Sequence, residues 1–232
     1  MDHTIEPIGV IHTPYKEKFA VPRQPRLAPS ATAKLQLIGN ANSPEAIRGI
    51  EQFSHLWLLF LFDQNLQAGW TPTVRPPRLG GNERIGVLST RSPFRPNGIG
   101  MSAVELKQVK QTEGQVWLEL GSVDLVDGTP IIDIKPYIPY SDAIFDANGG
   151  FAQTEPKLLD VTFSTIAEQQ LRFHANKEQV RAVICEVLAQ DPRPAYKKNS
   201  TDNKEYAVNL FDLNVKFKVN EQLVTVTAIE RF

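Results

Sequence analysis

Residues 102–135 read SAVELKQVKQTEGQVWLELGSVDLVDGTPIIDIK, and this stretch indicates which fold class the sequence favours. Polar and apolar residues alternate in Ser102–Val109 and again in Gln115–Gly121, as in strands with one buried face. The pair Asp127-Gly128 is a strong turn signal, after which Thr129–Lys135 resumes a strand pattern. Three strands joined by short turns, with no amphipathic helix between them, predict an antiparallel sheet.

Further strands are expected upstream of this stretch. Thr4–Ile11, Lys34–Ile38 and Arg84–Thr90 are short and partly apolar, and Phe53–Phe62 is a continuous apolar run of ten residues. Such a run predicts a strand covered on both faces. Six or seven short strands in succession favour a mainly β fold, a single-sheet antiparallel barrel rather than a doubly wound sheet.

The pattern changes after the glycine-rich segment Asp146–Gly150, which has the composition of a linker. Apolar residues at helical spacing follow Asn176, so a helix is expected there, preceded by a short helix at Thr165–Phe173. Strands are predicted at Val161–Phe163, Tyr206–Leu210, Asn214–Val219 and Leu223–Ile229. The sequence therefore predicts a barrel domain at 1–145 and a small α+β domain at 146–232.

Composition excludes several classes of protein. The chain has 232 residues, 41% hydrophobic and 22% charged, with a net charge of −1, so neither a disordered chain nor a bulk polycation fits. Its single cysteine, Cys185, excludes an internal disulfide, and the four histidines show no metal-binding spacing, so no metal is expected. Neither a signal peptide nor an apolar run of membrane-spanning length is present, which predicts a cytoplasmic protein without a membrane partner.

The charge is unevenly distributed along the chain. Residues 16–26 carry +3, residues 75–110 carry +5 and residues 191–204 carry +2, so the remainder carries −11. This segregation fits a basic surface that faces a partner, and it also fits three ordinary solvated loops. The stretch Trp70–Arg78 joins an aromatic residue to arginines and prolines, as suits phosphate and base contacts, although a charged linker reads the same way.

Two segments favour ligand chemistry, while the usual nucleotide motifs are missing. No Rossmann glycine fingerprint, Walker A loop or serine-hydrolase elbow occurs. Arg91 and Arg95 stand between prolines, where they suit capture of a carboxylate or phosphate, or a rigid surface hairpin. Strand alternation places Ile131, Asp133 and Lys135 on one face, the last two about 7 Å apart, as an ion pair or as functional groups.

Six motifs, in order, closely resemble the TsaA-like (TrmO) family from about residue 5 to the C-terminus. They are KEKFAVPRQP (16–25), FSHLW (53–57), RPPRLGG (75–81), RSPFRPNGIGMS (91–102), DLVDGTPIIDIKPY (124–137) and DPRPAY (191–196). The resemblance implies an S-adenosylmethionine-dependent tRNA methyltransferase built on a β-barrel. It also implies methylation of the N6 nitrogen of N6-threonylcarbamoyladenosine, beside the anticodon of threonine tRNA, by a homodimer.

The resemblance also assigns candidate site residues. The segments matching cofactor contacts in the family are Pro22, Arg23, Gln24, Pro25, Asp63, Gln64, Arg91, Met101, Leu125, Val126, Asp127 and Gly128, with Asp63 standing where some relatives carry histidine. Asp133, Lys135 and Tyr137 are the catalytic candidates on the methyl-acceptor side. The residues expected to face tRNA are Arg75, Arg78, Arg84, Arg95, Arg193, Tyr196 and Lys197.

For the chemistry, methyl transfer requires mainly the alignment of acceptor nitrogen, methyl and sulfur. The hypothesis is that Asp133, taken as an inward-facing carboxylate, accepts or orients the proton that N6 loses. A non-catalytic RNA-binding barrel is the rival interpretation. A hydrolase of a nucleotide-like molecule is a second rival, without a nucleophile or metal cluster in the sequence to support it.

Overall fold

The structure is a computed structural model that describes residues 3–194, 197 and 204–232. Six antiparallel strands close into a barrel in the order β1-β2-β7-β6-β3-β8. Their bounds are β1 Gly9–His12, β2 Thr32–Leu37, β3 His55–Leu61, β6 Ile99–Thr112, β7 Gln115–Ser122 and β8 Pro130–Pro136. The barrel closes where Gly9 of β1 pairs with Ile131 of β8. The prediction of a mainly β, single-sheet antiparallel barrel is confirmed.

Strand β3 shows how the sequence fills the barrel. Leu56, Leu58 and Phe60 point inward and are buried, whereas the alternate residues Trp57 and Leu59 point outward and are only half-buried. The expectation that this apolar run is covered on both faces is therefore wrong for the single chain. Alternation along a barrel strand buries one face in the barrel and leaves the other to solvent or to a partner.

An irregularity in β8 reverses the expected face of its charged residues. Phe60 pairs with Ile131, but the next residue back along β3, Leu59, pairs with Asp133, so Ile132 is the extra residue of a bulge. An extra residue shifts the alternation by one position. Ile131 therefore faces the barrel interior while Asp133 and Lys135 face outward, and the prediction that the three share one face is wrong.

The chain between β3 and β6 covers one end of the barrel with short elements. They are helix α1 (Asp63–Leu66), the two-stranded ribbon β4 (Thr73–Val74) with β5 (Ile85–Gly86), and several 3₁₀ turns. The strand expected at Arg84–Thr90 is limited to β5, because Val87–Ser89 forms a 3₁₀ turn. The Thr90 hydroxyl donates to the Val87 carbonyl at 2.8 Å and stabilises that turn.

The C-terminal part is a four-stranded sheet with two helices. Its strands are β9 (Asp160–Phe163), β10 (Tyr206–Leu210), β11 (Leu213–Asn220) and β12 (Leu223–Arg231), in the order β10-β11-β12-β9. The helices are α3 (Thr165–Leu171) and α4 (Lys177–Ala189), and a single turn, α2 (Pro139–Asp142), precedes them. The five apolar residues of α4 at helical spacing are buried: Val180, Val183, Ile184, Val187 and Leu188. The prediction of an α+β unit after the barrel is confirmed.

The second sheet is joined to the chain that follows β1. Tyr15 forms an isolated bridge with Leu210 of β10, and the Asn209 amide donates to the Glu17 carboxylate at 2.8 Å. Farther along, the Ser30 hydroxyl donates to Glu186 of α4 at 2.7 Å. These contacts attach the chain on both sides of the basic segment 16–26 to the α+β unit. Within the described residues, no helix is long and apolar enough to cross a membrane.

Candidate active site

A cleft opens at the end of the barrel where β3 runs into α1 and where the loop after β7 begins. Its volume is about 160 Å³. Apolar side chains dominate its walls, with two acids and one lysine among them. The lining residues are Lys18, Val21, Phe60, Leu61, Phe62, Asp63, Gln64, Asn65, Pro93, Asp124, Leu125, Val126 and Thr129. Four of them, Asp63, Gln64, Leu125 and Val126, are cofactor candidates from the sequence.

Helix α1 brings the first two candidates to the cleft. Asp63 and Gln64 follow Phe62, the residue after β3, and are exposed on the rim of the cleft. The Lys18 ammonium donates to the Gln64 carbonyl at 3.2 Å, which ties α1 to the Lys16–Arg26 motif. The rim is therefore built from two distant parts of the sequence.

The loop after β7 carries the next candidates. One of them, Asp127, anchors the loop through hydrogen bonds. The Asp127 carboxylate accepts from the Thr13 amide at 2.8 Å and from the Lys16 ammonium at 2.7 Å. Gly128 has a φ of +82°, a conformation that favours glycine, and its amide donates to the Ile11 carbonyl at 2.9 Å. Asp127 and Gly128 hold the loop to the end of β1, and this anchoring places Leu125 and Val126 in the cleft.

A third group of candidates meets beside the cleft. The Arg91 guanidinium donates to the Gln24 side-chain carbonyl, which joins the Pro22–Pro25 segment to the Arg91 loop. Pro22 is buried and Arg23 exposed, and neighbouring Val21 and Pro93 line the cleft. The structure thus joins two segments that are far apart in the sequence beside the cleft.

Met101 lies apart from this group. It pairs with Leu59 and lies on the outer side of β6 with 52% of its surface exposed, opposite to the inward Ser102. Trp57, Leu59, Met101, Asp133 and Lys135 share this face, which we call the outer wall. Met101 is therefore not among the residues that line the cleft.

The three catalytic candidates also lie at the outer wall. Asp133 forms an ion pair with Lys135 at 2.8 Å, with 42% and 62% of the two side chains exposed. The Tyr137 ring packs against Trp57 at a centroid distance of 5.6 Å. None of the three lines the cleft. The inward-facing position assumed for Asp133 is therefore wrong, and the bulge at Ile132 is the cause.

Asp124 is a cleft residue that the sequence reasoning did not select. The Ser102 hydroxyl donates to its carboxylate at 2.5 Å, and burial raises the pKa of Asp124 to about 6. Arg91, by its positive charge, and the Ser102 hydrogen bond oppose that rise. Asp124 opens the family motif at 124–137, but periodicity alone gave no reason to distinguish it from Asp127.

The residues expected to face tRNA divide into exposed and buried groups. Arg75, Arg78 and Arg84 are exposed, and Arg95 is half-buried with its guanidinium donating to the Thr90 carbonyl at 3.0 Å. Arg193, in contrast, is 4% exposed and pairs with Asp191 through two hydrogen bonds of 2.8 and 3.0 Å. That burial does not favour an RNA contact by Arg193.

Of the third basic segment, 191–204, the structure describes residues 191–194, 197 and 204. Lys197 is half-buried in a turn in which its amide donates to the Pro194 carbonyl at 2.8 Å. Tyr196 lies outside the described residues. The exposed arginines of the tRNA group are therefore those of the 75–84 segment.

The fold is a closed β-barrel outside the Rossmann class, with an attached α+β unit. An apolar cleft that contains two acids opens at one end of the barrel. Residues 10–143 match the family model of the tRNA-methyltransferase O N-terminal domain, and residues 156–232 match that of the TrmO C-terminal domain. The chain belongs to the TrmO family.

Relatives that are similar over nearly the whole chain agree with this assignment. The tRNA (adenine(37)-N6)-methyltransferase of Escherichia coli is 54% identical over 97% of both chains. A Pseudomonas aeruginosa protein named putative S-adenosylmethionine-dependent methyltransferase RcsF is 48% identical over 93% of this chain and 92% of its own. The crystal structure of TrmO from Pseudomonas aeruginosa superposes with a TM-score of 0.80 at 39% identity, covering 99% of each chain.

Proposed function

We propose that this protein transfers a methyl group from S-adenosylmethionine to the N6 nitrogen of adenine 37 in tRNA. The main support is the similarity, over nearly the whole chain, to the Escherichia coli tRNA (adenine(37)-N6)-methyltransferase. A cleft lined in part by the candidate segments adds to it. The finer proposal is that the acceptor is N6-threonylcarbamoyladenosine in threonine tRNA. The urea-like attachment would make the N6 proton more acidic than that of an ordinary adenine amine, so a strong base is unnecessary.

The chemistry of the cleft lining supports a site for the cofactor that this function needs. The rings of Phe60 and Phe62, 5.2 Å apart and edge to face, give a flat-sided apolar wall for an adenine or a methionine chain. Asp63 and Asp124 supply negative charge for a ligand whose ammonium and sulfonium are both positive. We propose that Gln24, Arg91, Asp63, Gln64, Leu125 and Val126 hold it, with Arg91 at the carboxylate. When bound, the cofactor supplies a methyl group already activated by positive sulfur.

The protein's remaining task is to position the acceptor. Holding N6 in line with the methyl and sulfur removes the entropy cost of a three-atom alignment, and the apolar walls exclude water. The exposed arginines Arg75, Arg78 and Arg84 are proposed to hold tRNA phosphates, with Trp70, also exposed, beside them in sequence for base stacking. This arrangement would leave the base to enter the cleft.

We further propose that two copies associate through the outer wall. The wall presents partly exposed apolar side chains, Trp57, Leu59 and Met101, beside Asp133 and Lys135, as a protein–protein contact requires. Asp133, Lys135 and Tyr137 would then act on an acceptor only across that interface, because they do not line their own chain's cleft. The cytoplasm is the proposed location, with residues 1–145 as the methyltransferase domain and 146–232 as a small α+β domain.

Labelled-methyl transfer tests the function directly. The protein would be given S-adenosylmethionine with a labelled methyl group and tRNA prepared with and without the threonylcarbamoyl group. We expect label only in the modified tRNA, at adenine 37. Equal labelling of both tRNAs would contradict the finer substrate, and no labelling with intact RNA binding would favour the rival RNA-binding module.

A matched pair of arginine variants links the activity to the cleft. Arg91→Ala is expected to weaken cofactor binding about tenfold or more, because a bidentate carboxylate contact is lost. Arg48→Ala is the control, since Arg48 is also exposed and bonded to one neighbour, Glu45, at 3.1 Å. Isothermal titration calorimetry measures both, and equal losses would argue against a cofactor role of Arg91.

A further inference from the structure

Of the two acids that line the cleft, Asp124 is the one that is withdrawn from water and held by a hydrogen bond from a buried hydroxyl. It follows β7 at the end of the barrel and lines the cleft beside Leu125 and Phe60. The hydroxyl that donates to it belongs to Ser102, which is 2% exposed on the inner face of β6. This hydrogen bond fixes one carboxylate oxygen of Asp124 without neutralising its charge.

The charged groups around Asp124 leave it without an ion-pair partner in the part of the chain that the structure describes. Arg91 is the basic residue that acts on it, through space rather than by contact. Lys18 shares the cleft but donates to the Gln64 carbonyl, and Asp63 adds a second negative charge at the rim. Tyr15, whose hydroxyl is kept neutral by burial, is the remaining titratable neighbour.

Asp124 is partly buried, and a carboxylate held against apolar walls without a contacting cation is costly unless a ligand supplies one. The cleft opens on Asp124, so a positively charged ligand group placed there would supply it. S-adenosylmethionine carries such a group at sulfur, whereas its product, S-adenosylhomocysteine, is uncharged at that atom. The acid therefore faces a site at which the charge of the ligand changes during the reaction.

We propose that Asp124 is the counter-charge of the cofactor's sulfonium and makes the cleft prefer the methyl donor to its demethylated product. This inference rests on the proposed function. In the transfer, N6 forms the new C–N bond and releases its proton to water, while the S–C bond breaks with both electrons retained by sulfur. Positive charge leaves the neighbourhood of Asp124, the attraction is lost, and the product is released more readily.

The proposal has a pH signature in the wild-type protein. Protonation of Asp124 removes the counter-charge, so affinity for S-adenosylmethionine should fall as the pH drops through the pKa of this carboxyl, about 6. The loss should grow below that value and level off near the factor expected for Asp124→Asn, about tenfold, because a protonated Asp124 is as uncharged as asparagine. Affinity for S-adenosylhomocysteine should change much less, since its sulfur carries no charge.

Calorimetry on the full chain with both ligands tests the assignment. Asp124→Asn is expected to weaken S-adenosylmethionine about tenfold or more while changing S-adenosylhomocysteine by less than about threefold, as expected for a desolvated charge pair. Asp63→Asn is the matched control: it makes the same charge change in the same cleft, but at an exposed rim position, and should affect the two ligands equally.

Each result separates the inference from the proposed function. If Asp124→Asn weakens both ligands by the same factor, or neither, Asp124 is not the sulfonium's counter-charge although the cofactor still binds. If the wild-type protein binds neither ligand, the proposed function itself fails. Should Asp124→Asn not fold, the wild-type ratio of the two affinities between pH 5 and pH 8 decides, and a constant ratio overturns the proposal.

Discussion

Asp124 and Asp133 belong to one motif and lie nine residues apart, yet the fold gives them opposite environments. Asp124 sits at the mouth of the barrel, bonded to a buried hydroxyl and facing an apolar cleft. Asp133 sits on the outer wall, half-exposed and paired with Lys135 at 2.8 Å. The environment of an acid therefore depends on where the fold places it: Asp124 lies in the loop after β7 at the cleft, and one extra residue at Ile132 turns Asp133 to the outer face of β8.

The largest expected effect is a difference in stability between two variants at adjacent residues of β3, one facing the barrel interior and one facing the outer wall. Leu58→Ala should lower the free energy of unfolding by about 2–5 kcal/mol, because Leu58 is fully buried. Leu59→Ala should cost less than about half of that, since Leu59 is only half-buried. Urea denaturation followed by circular dichroism measures both.

Protein concentration sharpens this first test. If the outer wall is covered by a second copy, the cost of Leu59→Ala should grow with concentration whereas that of Leu58→Ala should not. Equal losses for the two variants at every concentration would contradict the inside–outside assignment of β3.

The next expected effect is the pH dependence of the free energy of unfolding that Asp124, at the mouth of the barrel, contributes. The pKa of Asp124 is raised to about 6 in the folded state, so the folded protein binds a proton more tightly than the unfolded chain does. This group therefore favours folding at low pH and loses that contribution as pH rises from about 4 through 6, a change of roughly 2–3 kcal/mol at most. Asp124→Asn should remove the fall and be the more stable protein at pH 7.

An acid near the outer wall serves as the opposite control for that pH test. The Ile138 amide and the Trp57 indole donate to Asp142 and hold its pKa below the usual range. Its contribution is present at neutral pH and is lost as pH falls through the folded-state pKa. At pH 7, Asp142→Asn should melt at a lower temperature than the wild-type protein. If Asp124→Asn and Asp142→Asn shifted the melting temperature in the same direction, the contrast between the two acids would be contradicted.

A smaller effect is expected at the exposed arginines. Arg84→Gln should weaken tRNA binding about threefold to tenfold and reduce the dependence of log Kd on log salt by roughly one contact's share. Lys218→Gln, at an exposed position on β11, is the control and should leave both unchanged. Filter binding over a range of salt concentrations gives both quantities. Identical slopes of log Kd against log salt for the wild-type protein and Arg84→Gln would show that Arg84 does not contact tRNA phosphates.

The smallest effect belongs to the outer wall. Asp133→Asn should change the free energy of unfolding by less than about 1 kcal/mol, because half-exposed ion pairs contribute little. Its single-turnover methyl-transfer rate, with cofactor and tRNA saturating, addresses the sequence-based hypothesis that Asp133 handles the N6 proton. A wild-type rate would end that hypothesis, whereas a large loss would place Asp133 at the acceptor of a neighbouring copy.

The strands that the sequence predicted well are those whose alternation is regular and whose ends are marked by turns. β6, β7 and the long helix α4 were found at their expected places, because each buries one apolar face whose period is local information. The strand predicted at Arg84–Thr90 was shorter than expected, because the chain turns after Gly86 and Val87–Ser89 form a 3₁₀ turn. The cofactor segments could be proposed only through the family resemblance, since nothing local brings Gln24 to Arg91.

The sequence by itself determined the fold class, the family and the motifs that build the site, because periodicity, turn residues and ordered motifs are all written along one chain. Tertiary structure alone decided which carboxylate faces the cleft. A bulge placed Asp133 on the outside, Ser102 and the apolar walls surround Asp124, and Asp127 is paired with Lys16. Burial and through-space partners set the charge and the role of an acid, and neither can be read from its neighbours in sequence.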